Sequence, residues 1–476
     1  MTFPRTALVS PVPSLAQLAA KFGGHISAGG ELEPSGLAIG SAHVEPGFLF
    51  MAVSGAKFHG LDFLPKAIAN GAIALITDTP GDYPVPTIIH ENPRAIAGEL
   101  AAEIFDSSGL NLIGITGTNG KTSTAVYLQR LLEALGTKSG LLTGAHQIAG
   151  DQTLDSDLTT PEAPRLHQLL SKMKSSGQTH AVIEVSAQAL TRMRVQGLRF
   201  SLSGFTNLSR DHLDDYGDMD NYLAAKLLLF TDEYSDRAVI NCDDNWGREF
   251  FNQIQLPKVG IGEGLDYQLV LEGAGIEISG KAEVLAEIDI AGPMAKNLAL
   301  AAILALEAGY PKQGVADALG KIDLQVPGRL QPVTAAGNVY VDYAHTPAGV
   351  AASVHHLRDK HGELVVVLGA SGNRDQGKRA EMAIACKGVK RLFVTDQHPR
   401  DEDPAAIRKA LLDAALAAGI DVVEVADPGE AIRQAIDFAA GGAVLWCGPG
   451  HLKYREIAGQ KVAFDALSIA KEAATR

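Results

Sequence analysis

The chain has 476 residues, room for two to four domains at roughly 100–200 residues each. With 46% hydrophobic and 20% charged residues it is not a disordered, collagen-like or disulfide-stapled chain. Its 41 Lys plus Arg against 55 Asp plus Glu give a net charge of −14, which excludes nucleic acid or an anionic membrane as the main partner but not a small anion held by local donors.

In chain order, the first stretch carries Pro11 and Pro13 where a signal peptide needs an unbroken apolar core. The longest uncharged apolar run, Leu298 to Leu306, falls far short of the ~18 residues of a membrane span. A cytoplasmic protein without membrane insertion is expected. Cys242, Cys386 and Cys447 form no CxxC pair and read as buried thiols of a reducing compartment. Within 1–107, the runs FLFMAV, AIALIT and PTII predict three strands of a small α/β domain.

A second domain is expected over 108–329. LIGI reads as a buried strand, followed by a Gly-rich turn and a helix over about 122–135 with Ala125, Leu128, Leu131, Leu132 and Leu135 on its apolar face. HAVIEV, LSGFTNL and RAVIN read as further strands. Between 266 and 290 the pieces YQLVL, IEIS and AEIDIA read as antiparallel strands, and the helix ALAAILALEAG leads to a break at Pro327-Gly328. The third domain, 330–476, alternates five strands (VYVD, ELVVVLG, RLFVTD, DVVEVAD, AVLWCG) with helical stretches. That alternation implies a parallel sheet with right-handed crossovers and a ligand edge beyond the strand carboxyl ends. The residues there are Asp342 to His345, Gly369 to Arg374, Asp396 to Arg400 and Gly448 to His451.

The sharpest chemical signal is Thr116-Gly117-Thr118-Asn119-Gly120-Lys121-Thr122-Ser123, after a strand and opening a helix. Backbone N–H groups of such a turn converge on one concavity that suits phosphate oxygens. Lys121 would reach the terminal phosphates and Thr122 a magnesium ion. The strict P-loop pattern needs Gly where this chain has Ile115, so the loop is a shorter variant. Glu184 ends a strand near the turn, a place from which a carboxylate can hold magnesium, but alone it reads as a solvated or hydrogen-bonded strand-end residue. Alone, His212 reads as structural and Lys226 as a solvent-facing helix residue. Phosphoryl transfer needs a phosphate cradle, a metal and positioned charge, so a kinase, a hydrolase and an acyl-phosphate ligase all fit these residues.

Taken together the motifs resemble the Mur ligase family over the whole chain. TGTNGKT is similar to that family's variant P-loop, and Asn-Leu-Ser-Arg-Asp-His-Leu-Asp (207–214) to its central His motif. The resemblance implies His212, Glu184 and a carbamylated Lys226 as magnesium ligands, Asn297 as the adenine contact, and Arg329, Asp342 and His345 near the nucleotide. Thr159-Thr160-Pro161 resembles the segment that contacts the muramoyl dipeptide in the MurE branch, which adds the third amino acid to UDP-N-acetylmuramoyl-L-alanyl-D-glutamate. Ser186 and Arg194 fall at further substrate positions, and of the uridine contacts only Ser41 carries over. Arg374 is implied at the amino acid's α-carboxylate. Gln397-His398-Pro399-Arg400 and Leu452 depart from the diaminopimelate pattern Asp-Asn-Pro-Arg and Gly-Lys-Gly-His-Glu. Arg400 can still pair with a carboxylate, whereas Leu452 cannot take an ammonium.

The implied architecture is a small UDP-binding α/β domain, a central P-loop-type ATPase domain and a Rossmann-like C-terminal domain. The implied ligands are ATP, Mg2+, the UDP-muramoyl dipeptide and an amino acid, bound by a monomer. The alternatives are another ligase of this superfamily, acting on folate or another muramoyl peptide, and, from a different class, a P-loop ATPase switch.

Overall fold

The computed structural model describes residues 12–475, apart from 56–57, 157, 273–274, 281–282, 289 and 291. Pro11, part of the leader reading, and two positions of AEIDIA therefore lie outside the described residues. Among the described residues, three sheets of five, eleven and six strands and one two-stranded hairpin carry the architecture. The chain is thus mixed α/β, as expected.

In the first sheet, Phe48–Ala52, Ala74–Thr77 and Thr87–Ile89 run parallel, with Gly36–Ala38 beside the first and His25–Ile26 antiparallel to the last. The two outer strands, of two and three residues, are too short to show a hydrophobic period in the sequence.

The central sheet is parallel in its middle and antiparallel at both ends. Asn111–Thr116 lies between His180–Glu184 and Leu202–Phe205, with Ile115 opposite Glu184 and Thr116 opposite Phe205. That register brings Glu184 and the segment after Phe205 to the two sides of the Gly-rich turn. The helix Lys121–Ala134 is buried on nearly all sides because the helix Pro293–Glu307 covers it: Val126, Tyr127 and Leu131 share one core with Leu298, Ile303 and Leu304. Each such apolar side chain contributes roughly 1.5–3 kcal/mol on burial. Three antiparallel strands are there, Tyr267–Glu272, Gly275–Gly280 and Glu283–Ile288, attached to the sheet edge at Lys258–Ile261; the third starts three residues before the expected AEIDIA piece.

The third sheet holds all five expected strands in parallel, with Asp342 opposite Cys447 and Leu368 opposite both Cys447 and Val394. The strand ends are therefore level, and the loops beyond them form one edge. After the last parallel strand comes a hairpin, Tyr454–Ile457 and Gln460–Ala463, which the sequence reading did not include. All three cysteines are buried and free. Among the described residues no helix is long and apolar enough to cross a membrane.

Candidate active site

The edge of the third sheet faces the Gly-rich turn across a cleft of about 1590 Å³. Of the residues singled out in the sequence, Thr118, Asn119, Gly120, Lys121, Thr122, Ser123, Thr159, Glu184, Ser186, Arg194, His212, Lys226, Asn297, Arg329, Asp342, His345, Arg374 and Arg400 line it. Gly117, Thr160 and Ser41 do not. Gly117 sits behind the turn, its carbonyl accepting from Lys226. The Thr160 hydroxyl donates to the Glu184 carbonyl at 2.8 Å and accepts from the Ser186 N–H at 3.0 Å, so it fastens the segment to the strand end. Ser41 lies in the first sheet's unit, on a short 3-10 turn whose carbonyl accepts from Asn70.

The turn is shaped from both sides. Gly120 has φ +85°, and a Cβ there would come 2.2 Å from Asn297 Oδ1, so only glycine fits. Asn207 takes two of the N–H groups the sequence reading assigned to a phosphate concavity: Thr118 N–H donates to its carbonyl at 2.9 Å and Asn119 N–H to its Oδ1 at 3.0 Å. The cradle is therefore narrower than expected, because these two amides already serve to hold the loop shape. The Lys121 ammonium donates to the Thr118 carbonyl at 2.8 Å and lies 3.9 Å from Glu184. Burial pulls its pKa below the usual lysine value, opposed by the charges of Glu184 and Asp211.

Glu184 is buried, and its carboxylate accepts from Thr122 Oγ1 at 2.9 Å and from the Gly144 N–H at 3.2 Å. Arg329 reaches the same hydroxyl at 3.1 Å and stacks its guanidinium 4.4 Å from the Tyr343 ring. Lys226 is not solvent-facing: the helix Met219–Leu227 turns it inward, where it is 1% exposed. Its amine donates to the Gly117 carbonyl at 2.8 Å and lies 4.1 Å from the centroid of the Tyr222 ring. Burial, reinforced by the Lys121 charge, holds its pKa well below the usual lysine value. His212 has φ +55°, a left-handed conformation that is costly for a non-glycine residue. Burial lowers its pKa to about 4, so the ring is neutral, and its Nδ1 is buried without a hydrogen-bond partner.

These side chains also test whether magnesium fits. Among the described residues no group of three His, Cys, Asp or Glu is set to hold a metal. Of the expected ligands, Glu184 brings a buried carboxylate, Thr122 a hydroxyl and His212 a neutral ring whose Nδ1 is unpartnered. That set fits an ion that keeps several waters and shares phosphate oxygens, which is the habit of Mg2+.

Three features escaped the sequence reading. Asp211 is buried and pairs with Lys378 at 2.7 Å, joining the central and third sheets' units. Despite burial, bonding to His345 and the Lys378 charge hold its carboxyl well below the usual range. Arg210 likewise pairs with Asp375 at 3.1 Å and with Glu381 at 2.8 Å. Arg400 is already paired, its Nε 3.0 Å from Glu456 Oε2, so the carboxylate on it is the chain's own. Each of these contacts joins residues far apart in sequence, where no spacing could reveal it.

Comparison with known proteins agrees with this geometry. Residues 33–104 match the Mur ligase family catalytic domain, 115–305 the Mur ligase middle domain, and 328–450 the Mur ligase glutamate ligase domain. The UDP-N-acetylmuramyl-tripeptide synthetase of Leifsonia xyli is 40% identical, covering 95% of this chain and 94% of that protein. The UDP-N-acetylmuramoyl-L-alanyl-D-glutamate–2,6-diaminopimelate ligase of Aquifex aeolicus is 36% identical over 92% of this chain and 93% of its own. A solved ligase of that same description is 27% identical, with a TM-score of 0.63 over 94% of this chain and 96% of its own. The MurF ligase of Thermotoga maritima in complex with ADP shares the fold at a TM-score of 0.65 and 17% identity, covering 92% of this chain and 96% of its own. With its three matched regions and near full-length relatives, this chain belongs to the Mur ligase family of ATP-dependent ligases.

Proposed function

We propose that the cleft joins the amine of an amino acid to the D-glutamyl carboxylate of UDP-N-acetylmuramoyl-L-alanyl-D-glutamate, using ATP, in the cytoplasmic stage of peptidoglycan synthesis. The observation that carries this reading is the facing of two edges. A phosphate-loop lysine and a buried carboxylate lie on one side, and a cation-rich strand edge lies on the other. ATP transfers its terminal phosphoryl group to the carboxylate, giving an acyl phosphate and ADP. The amine attacks the acyl carbon, the tetrahedral intermediate expels phosphate, and one proton leaves the nitrogen.

Lys121 and Arg329 offset charge on the transferring phosphoryl group. Asn297, packed on Gly120, and Asp342 and His345 bound the nucleotide. Thr159, Ser186 and Arg194 bound the muramoyl dipeptide, with Thr160 behind them and Ser41 at the uridine end. Arg374 takes the α-carboxylate of the incoming amino acid. Glu184, Thr122, His212 and Lys226 as its carbamate would hold Mg2+, which when bound draws off negative charge from phosphate oxygens. Burial holds the Lys226 pKa well below the usual lysine value, which favours the neutral amine, the form that adds to carbon dioxide with an N–C bond formed and a proton released. The working division is 1–107, 108–329 and 330–476, in a monomer.

The test is isotopic. With the D-glutamyl carboxylate labelled by oxygen-18, the released phosphate is expected to carry one labelled oxygen per turnover. Phosphate free of label would overturn the acyl-phosphate reading.

A further inference from the structure

We propose that the amino-acid end of the cleft selects a side chain that ends in an ammonium and has no second carboxylate, and that Glu456 sets this selection. The proposal deepens the ligase reading and rests on it.

The wall of this pocket is the hairpin beginning at Tyr454, clamped onto the segment 397–400. Arg455 Nε donates to the Gln397 carbonyl at 2.7 Å, and the Glu456 N–H donates to His398 Nδ1 at 3.0 Å. Arg400 N–H donates to the Glu456 carbonyl at 3.0 Å, and the Ala458 N–H donates to the Arg400 carbonyl at 2.7 Å. Bonded on both sides, Arg400 keeps φ +54°, a left-handed conformation that an unsupported arginine avoids. Its guanidinium is therefore fixed, with Nε on Glu456 at 3.0 Å and Nη1 on the Gly372 carbonyl at 3.3 Å.

This fixed pair changes what the pocket can bind. An arginine with an empty fork welcomes a carboxylate. Here the fork already holds one, and a distal carboxylate on the incoming amino acid would have to displace Glu456 or lie beside it. Glu456 keeps 38% of its side chain exposed and lines the cleft, so the cleft meets a carboxylate at this point. Gln397 Oε1, buried and without a hydrogen-bond partner, offers a second acceptor on the same wall. Acceptors of this kind satisfy the three donors of an ammonium. At the other end of the pocket, Arg374 stands 4.0 Å from Asp214 and remains the guanidinium for the single α-carboxylate. One carboxylate and one distal ammonium describe lysine, ornithine or 2,4-diaminobutyrate.

The experiment measures phosphate release by the full chain with ATP and the UDP-muramoyl dipeptide, against L-lysine, L-ornithine, L-2,4-diaminobutyrate, meso-diaminopimelate, L-homoserine and L-alanine. One of the first three is expected to exceed meso-diaminopimelate at least 100-fold in kcat/KM. Glu456→Gln is expected to lose at least 50-fold for that amino acid, chiefly in KM, with the dipeptide and ATP KM values within twofold. The same variant, with Arg400 released, is expected to narrow the gap to meso-diaminopimelate, which a merely structural role would not do. Glu456→Asp keeps the charge and should retain the ranking, and thermal midpoints show that both variants fold. Preference of the unaltered chain for meso-diaminopimelate or a neutral amino acid, or an unchanged ranking in Glu456→Gln, would overturn the proposal. Release with none of the panel is a different result: it would overturn the ligase reading itself.

Discussion

A lysine amine kept out of water is a weaker base than a surface lysine, and in neutral form a nucleophile toward carbon dioxide. Lys226 meets that description, with its amine 2.8 Å from the Gly117 carbonyl and burial lowering its pKa. Carbamylation would place an anion beside the Lys121 ammonium, an attraction that the amine does not supply. Lys226→Ala is expected to lower turnover at least 100-fold while leaving the thermal midpoint within a few degrees. Short carboxylates such as formate or acetate should restore part of it. Full activity without rescue would contradict a carbamate role. The position was legible in the sequence only through its motif: on helical spacing alone Lys226 reads as exposed, and it is the packing of Met219–Leu227 against the turn that buries it. Glu456 was not legible at all, because its significance lies in meeting Arg400, 56 residues away in sequence.

At the scale of elements, hydrophobic period found the long strands and the helices that carry the site, and missed what is short or held by distant contacts. Four of the five parallel strands of the third sheet are almost wholly buried and read as continuous apolar runs, while the edge strand Val422–Glu424 is partly exposed. The hairpin at 454–463 has no buried residue, so no period marks it, and it is held by the bonds to 397–400. The helix Ala163–Ser175 illustrates a cost that only the fold reveals. Its His167 is buried, with Nδ1 2.6 Å from Ser107 Oγ and Nε2 without a partner. Burial lowers its pKa to about 4. The unfolded chain, with an ordinary histidine near 6.5, binds this proton first, so stability is full above that value and is lost as pH falls toward 4. The loss from this group is on the order of 3 kcal/mol at the acid end. Denaturant unfolding from pH 7 to pH 4 is expected to show it, and His167→Leu to flatten that acid limb. An acid limb of equal slope in the variant would contradict the assignment.

For the whole molecule, the central and third sheets are locked in a closed arrangement by contacts at several points of the cleft. Lys378 pairs with the buried Asp211 at 2.7 Å, Thr346 Oγ1 reaches Asn119 Oδ1 at 3.0 Å, and His451 Nε2 lies 3.1 Å from the Gly144 carbonyl. Removing one partner of a buried pair costs about 3–5 kcal/mol where the other charge stays buried. Opening the cleft lets water reach Asp211, so the molecule escapes most of that cost by opening. Lys378→Ala is therefore expected to raise the radius of gyration measured by X-ray scattering and to lower kcat at least tenfold, with little change in thermal midpoint. An unchanged radius with unchanged kcat would contradict the closing role. Closure of this kind brings the amine on one edge to the carboxylate on the other and excludes water from the acyl phosphate.

ATP turnover in this cleft is coupled to joining two substrates. The most direct measurement is phosphate release from ATP with the UDP-muramoyl dipeptide and an amino acid, each omitted in turn, alongside Lys121→Ala. Release that requires both substrates and vanishes in the variant is the expected result. Release that proceeds with neither substrate, or at the same rate in Lys121→Ala, would contradict the account.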